Sequence, residues 1–294
     1  MNAKKDFVYK LPLFAALAAV IISVPLRVYQ YFKVLDPATG FYNIIDFSVY
    51  LLYFVLGAAT VFSIVMYAVQ RKKLAPVAGV KKSPVFLILS ILLAVTVIVD
   101  SAGQLMSYFD LYEEAVSSSS MSVSDYVKNQ GGSLLLFQAI FGAITAIYFF
   151  ISGLSTTIGN ADGSKLKVLA LSPVAWMIFR LLYRFKRTIS FINVSDLFLE
   201  LFEIAFIMLF FLVYAQVVSK IETSAVFWKL FAYGIPAAMF ALVCFLPRFI
   251  VTITGSSELL SPHHGIAYSD FAVALFIAYS LITRVKAQLN SSED

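Results

Sequence analysis

Eight mostly apolar stretches follow one another along this chain, near 11–32, 44–69, 84–108, 134–154, 166–185, 194–218, 227–249 and 266–282. A helix rises about 1.5 Å per residue and a hydrocarbon layer is about 30 Å thick, so a run of roughly 20 apolar residues is long enough to cross it. The runs are continuous rather than alternating over about ten residues, which excludes a transmembrane barrel and leaves helices that satisfy their own backbone in lipid. Composition agrees. The chain is 61% hydrophobic and 13% charged, whereas a soluble domain carries about 25% charge. Disorder is excluded by the same numbers, and 13 Gly with one Cys excludes collagen-like and disulfide-built folds. The expected fold class is all-α, a polytopic integral membrane protein of eight transmembrane helices.

Lys4, Lys5 and Lys10 before the first apolar run resemble a signal peptide's start. The run goes on through Arg27-Val-Tyr-Gln-Tyr-Phe32 with no small-residue cleavage site, so it reads as an uncleaved span. Basic residues set the orientation. One side carries Lys4, Lys5, Lys10, Arg71, Lys72, Lys73, Lys81, Lys82, Lys165, Lys167, Lys220, Lys229, Arg284 and Lys286; the other has Lys33, Lys128, Arg184, Lys186, Arg187 and Arg248. This places both termini in the cytoplasm and the protein in the plasma membrane, with the bilayer as its first partner. The acidic, Ser-rich loop 109–133 then lies outside as a linker or lid, and Arg184, Lys186 and Arg187 break the rule.

Short strings recur in order. Arg27-Val-Tyr-Gln-Tyr-Phe-Lys33 resembles Arg180-Leu-Leu-Tyr-Arg-Phe-Lys186, and Phe41-Tyr-Asn-Ile-Ile-Asp46 resembles Phe191-Ile-Asn-Val-Ser-Asp196. The expectation is a parallel repeat of two four-helix halves, 1–155 and 156–294, related by an axis along the membrane normal.

Ionisable residues inside a span are costly and mark function by default. Arg180, Arg184 and Arg187 share one helix face, and Asp196, Glu200 and Glu203 share another. Antiparallel pairing predicts Arg187–Asp196 at the surface, Arg184–Glu200 below it and Arg180–Glu203 deepest, with Arg187 and Asp196 structural. Arg27 and Asp100 are predicted to form a second inward pair, beside the polar stretch Ser101, Gly103 and Gln104. The candidate ligand-binding set is therefore Arg180, Arg184, Glu200, Glu203, Arg27, Asp46 and Asp100. Its expected ligand is a small polar or anionic solute, bound at an outward-facing site between the halves in a transporter-like protein. The competing class is a non-transporting sensor or assembly subunit, in which the charge ladder only docks helices.

Other chemistry is weakly signalled. His263 and His264 lack a clear third ligand, so no metal is expected. No nucleophile–base or phosphate-loop motif occurs, so neither enzyme activity nor a cofactor is expected. The basic loop 71–82 orients the chain and offers a docking surface for a cytoplasmic partner. Net charge of +5 reflects inner loops against anionic lipid, not nucleic acid.

Overall fold

The computed structural model describes residues 2–36, 41–44, 46–72, 74, 83–118, 122–158, 166–187, 194–219, 223–260 and 266–290. Among them run nine α-helices: α1 (Asn2–Lys33), α2 (Phe47–Val69), α3 (Pro84–Ser118), α4 (Val123–Asn129), α5 (Gly132–Ile158), α6 (Ser172–Arg187), α7 (Val194–Val218), α8 (Thr223–Ile253) and α9 (Tyr268–Asn290). Seven of them, all but α4 and α6, are long and apolar enough to cross a membrane. The chain therefore has a multi-pass, all-helical membrane architecture. The segment 75–82, Lys73, the histidine pair 263–264 and the side chain of Arg187 lie outside the described residues.

Helix α6 departs from the expected span 166–185. It begins only at Ser172, after a 3-10 turn at Leu169–Leu171. Its 16 residues reach about 24 Å, and Arg180, Arg184, Lys186 and Arg187 crowd its second half. It nevertheless runs antiparallel along α5. Phe179 stacks on Phe137 and Phe141 at 5.2 Å, and Lys186 Nζ donates to the Lys128 carbonyl just before α5 begins (2.6 Å).

Much of the expected loop 109–133 is helical among the described residues. Residues 109–118 extend α3, and Ser122 caps the short α4 by accepting from the Asp125 N–H at 3.2 Å. Gly131 (φ 83°) then reverses the chain into α5, a left-handed turn that favours glycine.

Helix α8 is the axis of the bundle, in contact with α1, α2, α7 and α9. Of its most apolar window 78% is buried, against 28% for α2. Helix α3, which the expected repeat aligns with α8, packs on α5 and α9. Outward-facing side chains are apolar at helical spacing, as with Phe47, Tyr50 and Phe54, then Val61, Val65 and Val69. Such an apolar ridge on a helix long enough to span a membrane suits contact with lipid. The interior carries the polarity.

Helices α3 and α5 meet along small residues. A Cβ on Gly142 would fall on Ser101 Oγ, and one on Gly153 would lie 2.9 Å from Ser90 Cβ. Close backbone approach of this kind is how helices pack without a hydrophobic driving force between them. Gly153→Leu is expected to cost about 1–3 kcal/mol by overpacking, read as a lower melting temperature in detergent. Gly57→Leu, with nothing within 4 Å of its Cβ position, should leave melting unchanged. Equal behaviour of the two variants would contradict this seam.

Candidate functional site

Asp196, Glu200 and Glu203 repeat every three or four residues on α7, so all three carboxylates turn the same way. That way is inward: they are 5%, 1% and 1% exposed. Partners come from three other helices. Arg27 of α1 donates to Asp196 Oδ1 through a charge-assisted hydrogen bond. The Tyr31 hydroxyl donates to the same oxygen at 2.9 Å, and Arg248 Nη2 of α8 lies 3.8 Å from it. Arg248 Nη1 also meets Glu200 Oε1 at 2.6 Å, and Arg184 Nε of α6 meets Glu200 Oε2 at 3.1 Å. Arg27 further donates to Gln30 Oε1 (2.8 Å) and the Tyr42 hydroxyl (3.2 Å), while its guanidinium carbon lies 4.9 Å from the Tyr31 ring centroid. The result is one connected network joining α1, α6, α7 and α8.

A second cluster sits beside it. Arg180 of α6 grips Asp270 of α9 with two parallel hydrogen bonds, Nη1 to Oδ1 at 2.5 Å and Nη2 to Oδ2 at 2.8 Å. Asp100 of α3 accepts from the backbone N–H of Ser269 at 3.2 Å. That N–H belongs to the first turn of α9, where helix geometry provides no partner. Asp100 thus caps α9 from another helix. Glu203 stands in the field of Asp270, Arg180, Glu200 and Arg248, and neither of its carboxyl oxygens has a hydrogen-bond partner among the described residues.

Several predicted pairings are corrected by these contacts. The rung Arg184–Glu200 is present. Asp196 is met by Arg27 and Arg248; its expected pairing with Arg187 falls on a side chain outside the described residues. Arg180 goes to Asp270 instead of Glu203, its long side chain reaching across to α9 so that both Asp270 oxygens accept from the guanidinium. Arg27 does not pair with Asp100, whose partner is the start of α9. Asp46 caps α2, accepting from the Phe47 N–H at 2.7 Å, and makes no ion pair among the described residues. Arg248, placed outside by the sequence reading, is buried inside α8 at 4% exposure. Arg284, counted on the cytoplasmic side beyond the last span, is buried near the end of α9, donating to the Ser280 carbonyl at 3.0 Å and facing Tyr214.

Arg180, Arg184 and Asp100 also line a cleft of about 400 Å³ between α3, α5, α6 and the start of α9. Gln104, Gln138 and Trp176 complete its polar wall. Three atoms of that wall, Gln104 Oε1, Gln138 Oε1 and the Trp176 indole N–H, are buried without a hydrogen-bond partner. Buried polar atoms are nearly always satisfied, so an unsatisfied set around a space of this size calls for water or solute. Protein-family models, curated proteins and solved structures offer no match to this chain. Its own side chains must carry the functional reading. Gln104 was visible in the sequence as part of a polar stretch in an apolar run. Gln138 was equally visible, a lone amide inside an apolar helix; Trp176 gave no signal, since indoles are common in spans.

Among the described residues, no three His, Cys, Asp or Glu side chains gather in a way that could hold a metal ion. Cys244 is buried and free.

Proposed function

We propose that this protein binds a small polar or anionic solute in the cleft between α3, α5, α6 and α9, and moves it in the manner of a transporter. One observation carries the reading: Gln104, Gln138 and Trp176 present unsatisfied polar atoms to a roughly 400 Å³ space that two arginines also line. The guanidinium and indole N–H groups are donors that suit an oxyanion, and the amide oxygens of Gln104 and Gln138 would accept from a hydroxyl or N–H on the same solute. Asp100 at the same wall would reject a ligand that is negative throughout.

In this reading α6 makes the eighth crossing with the turn before it, supported by its antiparallel course along α5. Both termini then face the cytoplasm, the cleft opens at the α4 end toward the outside, and the membrane is the plasma membrane. The cleft draws on α3 from the first half and on α6 and α9 from the second, which agrees with a site between the halves.

The second reading, a sensor or assembly subunit, is favoured by the internal matching of Arg27, Asp196, Arg248, Glu200 and Arg184. Those groups spend their charge on each other and clamp helices. The two readings part at the cleft. In a Cys244→Ala background, Ser107→Cys and Gln104→Cys are expected to react with a membrane-impermeant thiosulfonate added outside intact cells. Leu105→Cys, on the lipid side, should stay unmodified. No reaction at positions 104 and 107 would leave the cleft dry and favour the structural role.

A further inference from the structure

The ion pairs that occupy Asp196 and Glu200 leave the deepest acid of α7 over. Glu203 is 1% exposed, and neither of its carboxyl oxygens meets a hydrogen-bond donor among the described residues. Charged and titratable groups face it from all sides: Arg180 of α6, Glu200 of its own helix, Cys244 and Arg248 of α8, and Asp270 of α9. The arginines are engaged elsewhere. Arg180 gives both terminal nitrogens to Asp270, while Arg248 and Arg184 hold Glu200. A carboxylate with neither water nor a hydrogen bond carries a large desolvation cost, which a bound proton removes.

A row of polar groups leads from this carboxyl to the cleft wall. Asp270 is the acid that Glu203 feels most strongly. The buried Ser269 hydroxyl donates to Asp270 Oδ1 at 3.5 Å, and the Ser269 backbone N–H donates to Asp100 Oδ2 at 3.2 Å. Asp100 lines the cleft. Chains of buried Asp and Glu are the usual proton relays of membrane proteins.

We infer that Glu203 is a proton-binding site, in exchange with the cleft through Asp270, Ser269 and Asp100. In the step that releases the proton, the O–H bond of Glu203 breaks and one forms on Asp270. Arg180 follows the charge from Asp270 to Glu203, so the guanidinium is paired before and after. Asp270 then passes the proton by way of the Ser269 hydroxyl to Asp100 and to water in the cleft. The proton site does not depend on what the cleft binds; only its coupling to a solute rests on the transporter reading.

Infrared spectroscopy of the full chain in detergent tests this. The signal is the C=O stretch of a carboxyl that keeps its proton in neutral buffer, where exposed acids have lost theirs. It is expected in the wild type, should move when the chain is made with carbon-13 glutamate, and should vanish in Glu203→Gln. That variant should melt with the wild type, since a neutral amide replaces a neutral acid. On transfer to deuterated buffer the wild-type band should shift, and Asp100→Asn and Ser269→Ala should each slow the shift several-fold. A band absent from the wild type, unmoved by labelled glutamate, or retained in Glu203→Gln would overturn the site. Exchange as fast in both relay variants as in the wild type would overturn the path. Unreactive cysteines at 104 and 107 would remove the solute cleft and leave the Glu203 band in place, so the two failures are distinct.

Discussion

Asp196→Ala is expected to be among the most destabilising single substitutions in this chain. One carboxylate answers both Arg27 and Arg248, and Tyr31 donates to it as well. Arg27 is 1% exposed and Arg248 4%, so neither guanidinium can turn to water when the carboxylate goes. Removing one partner of a buried pair typically costs about 3–5 kcal/mol. Arg248 keeps Glu200 at 2.6 Å; Arg27 loses the Asp196 carboxylate and retains Gln30 and Tyr42. The expected fall in melting temperature is on the order of 10 °C, read by thermal unfolding of the purified protein in detergent. Asp196→Asn should fall in between, since it preserves an acceptor for Tyr31 but not the charge. A second measurement separates charge from packing: Arg27→Gln added to Asp196→Asn should recover part of the loss. If Asp196→Ala melts within about 2 °C of the wild type, the network does not hold α1 to α7.

How much of this could be read beforehand depends on the range of the interaction. The seven long helices were legible because about twenty apolar residues in a row have few other fates. Helix α6 was legible in its charge spacing but not in its length, since the 3-10 turn before Ser172 depends on how the chain packs against α5 and α7. The acidic stripe Asp196, Glu200 and Glu203 was placed inward correctly, because three carboxylates at helical spacing cannot face lipid. Which arginine each would meet was not legible. Arg27 and Asp196 are separated by 169 residues, and only the position of α1 against α8 and α7 brings them together. Arg248 was counted with the outer residues because it stands at the end of the apolar run 227–249, yet α8 continues through Pro247 to Ile253. A proline can sit in a membrane helix where neighbours satisfy the freed carbonyl. The expected repeat aligns Arg27 with Arg180. Both turned out to be the buried arginines that tie a helix of one end of the bundle to a distant acid, although the helices around them are arranged differently.

The Arg180–Asp270 pair supports the second large effect and distinguishes docking from function. Arg180→Met alone strands a buried carboxylate, and Asp270→Leu alone strands a buried guanidinium; each is expected to cost about 3–5 kcal/mol. The pair is bidentate, with bonds of 2.5 and 2.8 Å, and both residues are at most 5% exposed. The double variant carries no charge to strand, and apolar replacements of similar volume are often neutral or stabilising by about 1–4 kcal/mol. Arg180→Met with Asp270→Leu is therefore expected to melt near the wild type, far above either single variant, giving a strong coupling in the double-mutant cycle. Additive losses in that cycle would mean each residue answers to other groups, Glu203 first among them. The double variant also carries the decisive comparison. Arg180 forms part of the cleft wall, so a protein stable without the pair keeps its helices docked but has lost one of the two arginines facing the solute space. If the cleft binds an anionic solute, Ser107→Cys in this background should remain reactive from outside while solute protection of that cysteine falls about ten-fold, the loss of roughly one charge-assisted contact. If protection is unchanged, Arg180 serves only to hold α6 to α9, and binding rests on Arg184 and the amides.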